Sequence, residues 1–68
     1  LKVCVVIENY KTRVFSNIHK AVEVIREEKK KNNIEELGCD EEIKNNEVIK
    51  VWLCYENSTC YFEVIEVE

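Results

Sequence analysis

Only one stretch of this chain carries an apolar stripe at helical spacing. Ile18, Ala21, Val22 and Ile25 recur at i, i+3, i+4 and i+7, the pattern of a helix with one buried face. Ser16 precedes the stripe, and its hydroxyl can accept from the unpaired N–H groups of a first turn. Lys29, Lys30 and Lys31 close it, where cations complement the helix dipole, and Asn32-Asn33 breaks the pattern. The spacing predicts one long helix over 17–31. A single helix shields one side of whatever it packs on, so the other segments decide how much apolar surface is left over.

Those segments read as strands. Residues 2–7 are rich in β-branched residues and apolar on both faces, with Val3, Val5 and Ile7 on one and Cys4 and Val6 on the other. That suits an interior strand. After the polar break at Glu8-Asn9-Tyr10-Lys11, residues 12–15 make a short second strand. Residues 47–55 and 59–67 alternate as a hairpin, with Asn57-Ser58 expected as its two-residue loop. In that register Ile49, Val51, Leu53, Tyr55, Cys60, Phe62 and Val64 share the face that meets the helix. Val48, Lys50, Trp52, Cys54, Tyr61, Glu63, Ile65 and Val67 share the other, with Cys4 and Val6 expected beside them. The segment 32–47 is open to two readings. It is a pair of helical turns, one ending at Gly38 and one capped by Asp40, or it is a long acidic loop.

With 68 residues, the chain holds one small core and therefore one domain, 1–68. The expected fold is α+β, a three- or four-stranded, mainly antiparallel sheet with the helix on one face, in ββαββ order. The second face then keeps Trp52, Cys54, Tyr61 and Ile65. Exposed apolar area of this kind marks an interface, and a homodimer packed through it is the first expectation. The competing expectation is that 32–47 folds across and covers it.

Several chemistries lack their residues. The four cysteines, Cys4, Cys39, Cys54 and Cys60, contain no C-x-x-C pair, and the one histidine, His19, is far from all of them in sequence. No metal or other cofactor is expected, because structural metal sites favour close ligand pairs. Cys54 and Cys60 fall on opposite sheet faces, so a disulfide between them would need a register shift or a bulge, and the cysteines read as small apolar fillers. One glycine cannot build a phosphate-cradling loop. Ser16 is accounted for as a cap, and no base and orienting group stand ready for a nucleophile, so catalysis is not expected. No stretch is apolar enough to span a membrane, and no secretory leader pattern is visible. The expected setting is the cytoplasm.

Charge is divided along the chain. Residues 11–31 carry seven basic and three acidic side chains, whereas 32–68 carry ten acidic and two basic ones. The basic helix is interleaved with Glu23, Glu27 and Glu28, which makes direct nucleic-acid binding the weaker expectation. The acidic half points further. Glu35, Glu36, Asp40, Glu41, Glu42 and Glu47, extended by Glu63 and Glu66, form a field that can imitate a row of phosphates. Such a field can occupy a basic groove on another protein, with fast, salt-sensitive association.

The segments KVCVVIE (2–8), RVFSNIHKAVEVI (13–25) and YFEVIEVE (61–68) resemble small accessory and host-takeover proteins of phages of low-GC Gram-positive bacteria. The likeness covers about two-thirds of the chain. It implies a role without catalytic residues, binding and inhibiting one host protein, and for some such proteins that means mimicking DNA to block a basic nucleoid protein such as the histone-like HU. The expectation taken forward is an acidic DNA mimic, with an apolar sheet-face inhibitor of a host enzyme and a nucleic-acid-binding basic helix as alternatives. The cysteines and the long 32–47 segment depart from the phage pattern.

Overall fold

The structure, a computed structural model, describes all residues from Leu1 to Glu68. Five strands and one helix follow in the order β1 (Lys2–Glu8), β2 (Lys11–Phe15), α1 (Ile18–Lys31), β3 (Glu36–Lys44), β4 (Glu47–Tyr55) and β5 (Ser58–Glu66). The strands form one antiparallel sheet in the order β2-β1-β5-β4-β3. The α+β class and the single helix agree with the sequence reading. The strand count and order do not: the architecture is ββαβββ, because 36–44 is a strand.

This extra strand hid from the pattern for a physical reason. β3 is an edge strand whose nine residues are all exposed, so it has no buried face to impose an apolar alternation. It is neither a pair of helical turns nor a cover over the sheet. Its turn into β4 is Asn45-Asn46, both left-handed at φ 52° and 62°, as a tight two-residue hairpin requires. Bulges at Leu37 and opposite Ile43, with Asp40, Glu41 and Glu42 between them, keep this open edge from pairing with other chains.

Each end of α1 has its own device. Asn17, not Ser16, is the N-cap, its side chain accepting from the Lys20 N–H at 2.8 Å. At the other end Asn33 sits in the left-handed region at φ 55°. Its N–H donates to the Lys30 carbonyl and the Ile34 N–H to the Lys29 carbonyl, the two bonds of a Schellman turn. Ile34 then packs against the core.

The core lies between α1 and the sheet. Ile18, Ala21 and Ile25 meet Cys4, Val6, Val51, Leu53, Tyr55, Cys60 and Phe62. Three strand assignments change here. Cys4 and Val6 face the helix and are fully buried, not the open side, because β1 sets Val6 opposite Phe62 and Cys4 opposite Val64. A strand apolar on both faces does not reveal which face turns inward; its register against β5 decides. The β4–β5 loop is Glu56-Asn57, with Tyr55 opposite Ser58, two residues from the expected pairing. A slip of two keeps every side chain on its face, so Trp52 and Cys54 still point away from Leu53 and Tyr55. Ile49 is the extra residue of the β4 bulge, and Val48 packs on the core in its place.

Candidate functional site

Polar contacts concentrate where the C-terminal half of α1 meets the sheet. Lys29 bonds Glu8 at 2.5 Å, Ser58 also donates to Glu8, and the Lys29 ammonium lies 5.1 Å from the Tyr55 ring centre. Arg26 grips Glu36 through two N–H groups at 2.9 and 3.0 Å, and Tyr55 donates to the same carboxylate. Arg13 of β2 grips Glu28 in the same bidentate way, at 2.8 and 3.0 Å. Burial works to raise the Glu8 carboxyl, but the Lys29 and Ser58 hydrogen bonds and the Lys29 charge outweigh it and hold it below the ordinary value. The Arg13 and Arg26 bonds lower Glu28 and Glu36. Burial, with Glu8 nearby, pushes the Cys60 thiol up to about 11, so it stays protonated and unreactive. These contacts fasten the helix to four strands.

The opposite face of the sheet has no such cover. Val3, Val5 and Ile7 of β1 lie there with Tyr61, Glu63 and Ile65 of β5, and Trp52, Lys50 and Cys54 of β4 continue the rows. β3 adds Asp40 opposite Trp52 and Glu42 opposite Lys50. No helix or loop packs on this face, since the one helix lies on the other side. Trp52 and Tyr61 are direct cross-strand partners with ring centres 5.4 Å apart and planes tilted by 43°. Tyr61 donates to Glu63 at 2.6 Å, and that bond is the main cause that pushes its phenol up to about 12.

The docking residues expected from sequence, Trp52, Cys54, Tyr61 and Ile65, therefore share one open face. The expected acidic set does not. Asp40, Glu42 and Glu63 lie on that face, whereas Glu41 lines a groove beside α1 on the other side. Glu36 is tied to Arg26, Glu47 to Lys2, and Glu66 to the N-terminal amine. Glu35 lies beside α1, near Arg26 and Lys30. Alternation along β3 is what splits the acidic run, since neighbours on a strand point to opposite faces. Val3, Val5 and Ile7 are the open-face residues that the sequence reading placed on the wrong side.

The groove beside α1, about 450 Å³ in volume, has Val22, Val48 and Val51 among its lining, with His19, Glu23 and Cys39. No three His, Cys, Asp or Glu side chains gather to hold a metal ion, and no helix is long and apolar enough to cross a membrane. No protein-family model, curated protein or solved structure matches this chain.

Proposed function

We propose that this domain works by docking on another protein with the open face of its sheet, and that it performs no chemistry of its own. One observation supports the reading above the others: an aromatic pair, Trp52 and Tyr61, sits on a sheet face that nothing in the chain covers. Trp and Tyr are the side chains most enriched among residues that dominate binding energy. An apolar centre with charged groups around it is the layout of a protein interface. Asp40, Glu42 and Glu63 favour a basic partner. In the phage setting that the resemblance implies, the partner is a host protein in the host cytoplasm, and docking impairs it.

A second reading keeps the carboxylates as the main element, with the domain imitating DNA before a basic, DNA-binding host protein. Its support is that Asp40, Glu42 and Glu63 enter no ion pair within the chain. The dispersal of Glu36, Glu41, Glu47 and Glu66 over other surfaces ranks it below docking through the aromatic pair.

Pull-down from a bacterial lysate with the native chain and with Trp52→Glu, at low and high salt, tests both. A discrete protein captured by the native chain and lost with a folded Trp52→Glu chain is the expected result. Identical capture by both overturns the docking reading. Capture that ignores Trp52→Glu but fades with salt supports the DNA-mimic reading. Light scattering settles whether a second copy takes the face instead, and a native dimer disrupted by Trp52→Glu identifies the homodimer.

A further inference from the structure

We infer that the open face recognises an arginine side chain of its partner, presented between apolar residues and held by the rings of Trp52 and Tyr61 with the carboxylates of Asp40 and Glu63. This rests on the docking reading above and names the chemistry of the partner.

The argument begins with how the protein treats its own arginines. Arg13 pairs bidentately with Glu28 while its guanidinium lies 5.2 Å from the Phe15 ring centre. Arg26 is held by both oxygens of Glu36. Both arginines of the chain are thus engaged on the helix side. The open face offers the same acceptors, ring and carboxylate, with no guanidinium among them.

Strand pairing puts the four groups on two neighbouring rows of one face, with Lys50 directly opposite Glu63. Asp40, Trp52 and Tyr61 occupy one row across β3, β4 and β5, where cross-strand neighbours lie about 5 Å apart at Cβ. Glu63 is fixed beside the row by the bond from Tyr61 to its Oε1, leaving Oε2 free. Asp40 accepts the Glu41 N–H through Oδ1, leaving Oδ2 free. The 43° tilt between the rings keeps them from closing flat on each other. A planar guanidinium can lie on a ring and still reach a carboxylate with its edge, which a lysine ammonium does less well. The apolar residues flanking that arginine would meet Val5, Ile7 and Ile65.

Charge also argues against a second copy as the occupant. It would bring the same three carboxylates with only Lys44 and Lys50 to oppose them, and no arginine.

The single tryptophan makes the site its own reporter. Trp52 fluorescence is titrated with the peptide Gly-Val-Arg-Ile-Gly and with its lysine and citrulline counterparts. The arginine peptide is expected to bind about fivefold or more tighter than the lysine one, with citrulline weaker still. The double substitution Asp40→Asn, Glu63→Gln is expected to weaken the arginine peptide about tenfold and to remove its advantage over lysine. Equal affinity for the three peptides, no saturable response at millimolar concentration, or indifference to the double substitution overturns the arginine assignment. Each of these leaves the docking reading in place, because that reading is judged by Trp52→Glu capture.

Discussion

The two faces of the sheet are made by the same strands, and along β1 and β5 they are almost equally apolar. On one side Cys4, Val6, Cys60 and Phe62 are sealed beneath α1. On the other Val3, Val5, Ile7, Tyr61 and Ile65 meet water. What separates them is the partner element, because the chain supplies one helix for two apolar surfaces. The charged groups divide only in part. Three carboxylates on the helix side, Glu8, Glu28 and Glu36, have a cation in contact, while Asp40, Glu42 and Glu63 on the open face have none, and neither do Glu35 and Glu41 beside α1. One face therefore carries the stability of the domain, and the other is available for a different task.

Truncation gives the largest test of that division. Phe62→Ala removes the largest fully buried side chain and should cost about 3–5 kcal/mol, a large share of the total for a domain of this size. Tyr61→Ala, one residue along the same strand, should cost about 1 kcal/mol or less. Urea denaturation of both variants checks the ranking, and equal losses would dissolve the distinction between the faces. A smaller contrast concerns charge. Glu8→Gln leaves Lys29, only 13% exposed at its side chain, without its counter-charge, at about 1–2 kcal/mol. Glu63→Gln on the open face should stay within about 0.5 kcal/mol in the same assay.

Acid sharpens the comparison from the helix side. The folded-state values of Glu8, Glu28 and Glu36 lie below the ordinary 4.5. Their contribution is complete above that value and is lost as pH falls through the lowered folded values. The melting temperature should hold from neutral pH to about 5 and then drop; a drop of the same size in a Glu8→Gln, Glu36→Gln chain would assign it elsewhere. A further effect of modest size is expected at the helix terminus. Asn33→Ala places a Cβ-bearing residue without a compensating polar group at φ 55°, at about 1 kcal/mol, whereas Asn33→Gly should be nearly neutral. Thermal melts of the pair distinguish backbone strain from loss of a side-chain contact.

How much of this was legible in the sequence depended on burial. α1 announced itself because Ile18, Ala21, Val22 and Ile25 must all point one way, and the β4–β5 faces did so because their alternation holds everywhere but at the Val48-Ile49 bulge. β3 was silent because an edge strand with nothing to bury has no pattern to keep; Asn45-Asn46, two residues that tolerate a left-handed backbone, was the one signal available. The inward face of β1 was undecidable from β1 itself, since the choice lies in its pairing with β5. That Trp52, Cys54, Tyr61 and Ile65 share one face followed from parity along β4 and β5. The acidic set did not, because closeness in sequence along a strand means opposite sides in space.

The placement of the thiols has a practical consequence. Cys4 and Cys60 are sealed in the core, while Cys39 and Cys54 are exposed on neighbouring strands, Cys39 toward the helix-side groove and Cys54 toward the open face. No two of them are placed to close a loop within the molecule. Storage in air would thus link separate molecules through two outward-looking sulfurs on opposite surfaces, yielding strings of copies, so a reductant is needed before any preparation is weighed or titrated.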